Sequence, residues 1–269
     1  MLAPAVSPSA GAAPRAELWP RWQAHDPAAQ ARIDHGAWAG FLARYVRAGA
    51  DGINRVAYGA VTPDDRSALD AYVEALAALP ISRYARPEQM AYWINLYNAL
   101  TVRLVLAHYP VDSIRDIDIS PGLFSDGPWG KKLVAIEGER LSLDDIEHRI
   151  LRPLWHDARI HYALNCAALG CPSLQPEPFL AARLEEQLER AARAYVNHPR
   201  GVTVADGELV VSSIYEWFKQ DFGGSDQGVI AHLRCYAAPA LARELERFSA
   251  GADDRYDWRL NGLDAVEPS

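Results

Sequence analysis

Cysteine is scarce in this chain. Three thiols in 269 residues cannot form the disulfide framework of a small secreted domain. Long apolar runs are missing as well. None approaches the roughly 18 residues that mark a membrane-spanning helix, so no transmembrane segment is expected. Lys and Arg never gather beyond short groups and the formal net charge is −8. That excludes nucleic-acid binding as the main activity, because such proteins need a basic footprint. There is no Gly-rich phosphate loop, no Gly-x-Ser-x-Gly elbow and no His-Glu-x-x-His, so neither a cofactor nor a metalloprotease centre is indicated.

What remains is a chain that can bury a sizeable core. Hydrophobic residues make up 49% and there are eight Trp, which rules out a disordered protein. Residues 1–18, rich in Ala and Pro up to Ala16, read as a flexible tether, or as the remainder of an export segment. The composition therefore points to a periplasmic or secreted location, and otherwise to the cytoplasm. Residues 19–269 read as a single α+β domain, a helical N-terminal half packed on a small antiparallel sheet. Trp19 to about Ala50, Asp65–Leu79 and Glu88–Tyr109 read as helices, the last opened by Pro87 and closed by Pro110, the usual proline asymmetry. Lys132–Ile136 and Arg159–Asn165 read as strands, and Val202–Val204 with Glu208–Val211 as a hairpin about Asp206-Gly207. Ser142–Arg152, Phe179–Asn197 and most of Asp226–Phe248 read as further helices, and Ser212–Phe222 as the start of a short one.

The most informative stretch is Arg159-Ile-His-Tyr-Ala-Leu-Asn-Cys-Ala-Ala-Leu-Gly-Cys-Pro172. A histidine lies five residues before Cys166, an asparagine directly before it, and Glu147-His148 a short way upstream. A thiol, imidazoles and a carboxylate this close are the parts of a nucleophilic cysteine site. If residues 159–165 form a strand, alternation puts His161 and Asn165 on one face. His161 is then a candidate base and Asn165 a candidate oxyanion donor. The competing readings are a buried, satisfied histidine and a cysteine that only fills core space.

On a wheel of about 100° per residue, Glu147 falls within the apolar stripe Leu143–Ile146–Ile150–Leu154 and His148 points away from it. Glu147 is then either a structural carboxylate or the acid that orients an imidazole. Cys171 reads as a resolving thiol, a structural residue or a second nucleophile, and Cys235 as a core residue. Trp93, Asn95 and Asn98 on the long helix are candidates for substrate binding or for tying neighbouring loops. His148, His161, Cys166 and Cys171 could supply four metal ligands, but their spacings match no standard zinc arrangement. No metal is expected.

Tyr92-Trp-Ile-Asn-Leu-Tyr-Asn-Ala-Leu100, Leu141–Arg152, His161–Pro172, Ser213–Phe222 and Tyr256-Asp-Trp-Arg-Leu-Asn261 together resemble a large bacterial and plant family, domain of unknown function family 547. The resemblance runs over about residues 80–261. It implies a papain-like or transglutaminase-like cysteine hydrolase fold in rearranged chain order. In its plant relatives a cysteine stands at the position matching Cys166 and not at that matching Cys171, which favours Cys166 as nucleophile. The expectation is a hydrolase or acyltransferase acting on a peptide-like amide, such as a γ-glutamyl or isopeptide bond. Cys166 would attack, His161 or His148 would be the base, Glu147 would fix the imidazole, and Asn165 or the Cys166 N–H would hold the oxyanion. Its partner would be a peptide or small amide substrate. The alternative is a non-catalytic module whose Trp93, Trp129 and Trp217 bind a peptide or protein.

Overall fold

A long helix, buried around its whole circumference over much of its length, organises the computed structural model, which describes residues 14–121, 127–249 and 252–263. In chain order the first elements are helix α1 (Gly36–Tyr45), strands β1 (Val46–Ala48) and β2 (Asn54–Val56), helix α2 (Pro63–Ala77) and the long helix α3 (Arg86–His108). Strands β3 (Val134–Ile136) and β4 (Glu139–Leu141) lead to a π-helical turn, Asp145–Leu151, that runs into α4 (Arg152–Trp155). Then come α5 (Ile160–Ala163), α6 (Leu184–Val196), strands β5 (Val202–Ala205) and β6 (Glu208–Ser212), helices α7 (Ile214–Trp217), α8 (Asp226–Tyr236) and α9 (Pro239–Leu245), and strand β7 (Asp253–Arg255).

The fold is α+β, as expected, with differences of local cause. Every residue of α3 from Glu88 to Val102 is buried, so this helix has no separate polar edge. Trp19–Ala50 is not continuously helical. Asp26 precedes Pro27, a position that disfavours helix, and its carboxylate instead accepts the Ala28 N–H at 2.9 Å. Among the described residues the β-structure is three small sheets. β1 with β2 and β3 with β4 are antiparallel pairs, and β5–β6 is extended by β7 running parallel to β6. The β5–β6 hairpin turns at Asp206 and Gly207, both at positive φ (54° and 82°), as a tight primed turn requires.

The segment expected as a strand, Arg159–Asn165, is a single helical turn, α5, followed by extended residues. Its alternation of faces therefore does not exist. Ile160, Ala163 and Leu164 join a large core cluster around α3, while Tyr162 joins a second cluster with α6, β6 and α8. His161 lies at the seam between them.

The turn before it departs from a regular helix. Pro153 has no N–H, so Arg149 O lacks the donor that an α-helix would give it. Arg152 N–H reaches back five residues to Glu147 O, and the N–H groups of Glu17 and Trp19 bond His148 O and Arg149 O at 2.9 and 3.0 Å. Residues 1–13 of the expected tether lie outside the described residues. Residues 14–19 run across this turn, with Pro14 O also accepting from Arg152.

Candidate active site

Buried amides build the cysteine loop. Asn98 on α3 donates from Nδ2 to Ala163 O at 2.9 Å and accepts the Asn165 N–H on Oδ1 at 2.8 Å. Asn165 Nδ2 donates to Pro172 O at 2.8 Å, and its Oδ1 accepts the Ala167 N–H at 3.1 Å and Asn261 Nδ2 at 3.2 Å. The C-terminal segment completes the frame, with Asn261 N–H bonded to Ala167 O and a bridge between Ala168 and Leu260. These bonds hold Ala167 at φ +60°, a left-handed conformation costing a residue with a Cβ about 1–2 kcal/mol. Such strain persists only where surroundings over-determine it. The elbow turns the preceding side chain outward: from Ile160 to Pro172, Cys166 alone is not fully buried.

The Cys166 sulfur lies 3.0 Å from the Tyr256 hydroxyl. Cys166 N–H donates to Cys171 Sγ at 3.0 Å, and the buried Cys171 sulfur lies 3.6 Å from Leu164 O. Hydrogen bonding from the Cys171 thiol, the Tyr256 hydroxyl and the Ala168 N–H lowers the Cys166 pKa against burial and the charge of Glu147. Burial raises Cys171 and Tyr256 well above their ordinary values, which keeps both protonated. Both expected oxyanion donors are already engaged, the Asn165 amide by Pro172 and the Cys166 N–H by Cys171. The exposed Cys235 corrects the expectation that it lies in the core.

The expected imidazole–carboxylate pair exists, but neither His161 nor His148 is hydrogen-bonded to the Cys166 sulfur. His161 Nε2 sits 2.7 Å from Asp221 Oδ2 and Nδ1 3.6 Å from Glu147 Oε1, with the ring stacked on Phe218 at 4.2 Å. Burial opposes a charge on His161, but the Asp221 and Glu147 carboxylates more than offset it and raise the pKa. Burial alone would likewise raise Glu147. The neighbouring imidazoles and Arg152 hold it down to about 2 instead, and Tyr97 donates to it at 3.1 Å.

His148 is also buried, contrary to the wheel, because the wider π turn changes the rotation per residue. Arg152 NH1 lies 3.0 Å from His148 Nδ1. Since guanidinium has no acceptor, Nδ1 carries the lone pair and His148 is neutral. Burial accordingly lowers its pKa to about 4. Asp221 was missed in the sequence, although Lys219-Gln-Asp-Phe222 belongs to a motif singled out there.

Beside the thiol stands an aromatic wall. Tyr256 packs on Trp217 at 4.8 Å and on Trp258 at 4.7 Å, and Trp129 meets Trp258 at 5.8 Å. All four are half-buried. Trp93 is not among them; it is deep in the core against Trp22 and Tyr92. Asn95 exchanges two hydrogen bonds with the Phe179 backbone, at 2.7 and 3.0 Å. Asn95 and Asn98 thus tie loops to α3. Among the described residues, no group of three or more His, Cys, Asp and Glu side chains is placed to hold a metal ion.

Residues 81–196 match the family model described as "Protein of unknown function, DUF547". The match covers less than half of the chain. It carries α3, the π turn and the whole cysteine loop, but it ends before Asp221, Tyr256 and Asn261, which complete the surroundings of His161 and Cys166. No curated protein and no solved structure matches the chain. Among the described residues no helix is long and apolar enough to cross a membrane.

Proposed function

We propose that the protein is a cysteine-dependent hydrolase or acyltransferase that acts on a peptide-like amide, with Cys166 as nucleophile. One observation carries this reading: a half-buried thiol on a strained elbow, ringed by three donors that favour its thiolate. A core-filling cysteine needs none of these. The Cys166 sulfur attacks the acyl carbon as its own proton passes to the Tyr256 oxygen, an S–C bond forms and the C–N bond breaks. The departing amine takes a proton from the Tyr256 hydroxyl. Water then attacks the thioester, the acid leaves, and the proton returns to sulfur. The buried Glu147–His161–Asp221 network holds Phe218, the neighbour in sequence of Trp217 in the wall, and supplies no base to the thiol. The half-buried aromatic residues favour a second reading, a peptide-binding module without turnover.

Alkylation by iodoacetamide separates the two readings. Cys235 is an exposed internal reference. In the enzyme, Cys166 reacts faster than Cys235 below pH 8 despite its lower exposure, with an apparent pKa below the ~8.5 of a free thiol. Cys166→Ser abolishes turnover of γ-glutamyl and isopeptide substrates. Slower alkylation at Cys166 than at Cys235, with those amides bound and left intact, establishes the module.

A further inference from the structure

A concave site adjoins the cysteine loop at Leu169 and Gly170. Its cavity of about 560 Å³ is lined by Arg55, Arg200, Arg255 and Arg259 with Asp51 and Asp257. Four guanidiniums around one cavity is unexpected on a chain of net charge −8. Two of them are neutralised. Asp51 binds Arg55 in a bidentate pair at 2.8 and 2.7 Å, and Asp257 binds Arg259 at 2.6 and 3.1 Å.

The other two have no carboxylate partner among the described residues. Arg200 donates to Leu169 O at 2.9 Å and Ser173 Oγ at 2.7 Å and stacks on Tyr195, while its buried Nε has no hydrogen-bond partner among the described residues. Arg255 donates only to Pro199 O and Thr203 Oγ1, at 3.1 and 3.0 Å. The cavity therefore carries two positive charges in excess. Withdrawing a guanidinium from water is costly, and burial pulls the Arg200 pKa down although the nearby Asp51 carboxylate, already paired with Arg55, favours its charge. The planar fork of Arg suits paired oxygens of a carboxylate or phosphate, and the volume suits a small molecule.

We infer that this cavity is a binding site for a small oxyanion ligand, a di- or tricarboxylate or a phosphate compound, held between Arg200 and Arg255. The same cavity is lined by Leu169, Gly170 and Tyr256, so its occupant touches the loop and the ring that frame Cys166. The inference stands whether or not Cys166 turns anything over.

Calorimetric titration of the full chain with inorganic phosphate and, separately, with citrate tests it. One of the two binds saturably in low salt, and which one does distinguishes phosphate from carboxylate chemistry. Arg255→Gln, at an exposed position, weakens that binding tenfold or more. Arg200→Gln weakens it further, provided its melting curve remains cooperative. Arg190→Gln, which removes an equal charge far from the cavity in sequence, at a residue paired with Glu177 and Glu186, leaves it within twofold. Binding of neither anion at 10 mM overturns the inference. So does an equal loss in Arg255→Gln and Arg190→Gln, which would report general charge attraction only.

Discussion

His161 Nε2 and Asp221 Oδ2 stand 2.7 Å apart across the seam of the two core clusters, from positions 60 residues apart. Arg152 meets the same carboxylate oxygen from the π turn's side at 2.6 Å. One acid thus compensates two cations contributed by the larger cluster's side, and it sits on the segment that also presents Phe218.

Replacing Asp221 by Asn should therefore destabilise the chain by about 3 kcal/mol, the scale for breaking a buried pair and leaving its charges uncompensated. Denaturant unfolding measures it. The sign for His161 follows from its raised pKa. Its charge contributes stability that is full below the unfolded value of 6.5 and lost as pH rises through the folded value. In Asp221→Asn the His161 ring should titrate at lower pH than in the parent by NMR. An unchanged titration would remove Asp221 from this role.

The thiol environment makes a separate prediction. Tyr256→Phe deletes a donor to the Cys166 sulfur, and Cys171→Ala deletes the largest one. Each should raise the apparent pKa of Cys166 alkylation, by an amount on the order of one unit, or about 1.4 kcal/mol of thiolate stabilisation. Phe keeps the ring's packing on Trp217 and Trp258, so Tyr256→Phe should leave the melting temperature nearly unchanged. An alkylation profile that moves in neither variant would show that the sulfur does not sense these groups.

The elbow at Ala167 can be tested through stability alone. At φ +60° a glycine is free of the Cβ penalty of about 1–2 kcal/mol, offset by its greater unfolded-state entropy of about 0.4–1 kcal/mol. Ala167→Gly should be neutral or mildly stabilising. Ala167→Val, a β-branched residue in that region, should cost about 2 kcal/mol or more. Equal effects of the two would mean that the backbone at this position relaxes.

Much of this architecture was legible where local signals act alone. Prolines bracket α3, Asp206-Gly207 makes the hairpin, and the Gly/Pro-punctuated turn after Cys166 follows from composition. Residues 159–165 misled because a tertiary partner decides them: Asn98, some 65 residues away, satisfies Ala163 O and lets a single helical turn end there. The wheel placed Glu147 on the buried stripe, where it is, and failed for His148, because the π turn over Asp145–Leu151 changes the rotation per residue and brings that side chain inward as well. Arg200 gave no sign either, because a guanidinium without a counter-charge is recognised only when its spatial neighbours are known.

The π turn also sets two titrations against each other. His148 is held near 4 against 6.5, so between those values the unfolded chain binds more protons and stability rises with pH. Asp144, raised to about 6 from 3.8 by burial and then by the charges of Glu147 and Asp145, does the reverse. Between 3.8 and about 6 the folded chain binds more protons and stability falls with pH. Their side chains are 3.6 Å apart, and in the parent the two slopes largely cancel over this window. Removing one should unmask the other. Asp144→Asn should give a stability that climbs more steeply from pH 4 to 6.5, and His148→Gln one that climbs less or declines. Urea midpoints across that range measure both. Slopes that change in the same direction in the two variants would refute a neutral His148 beside a reluctantly ionised Asp144.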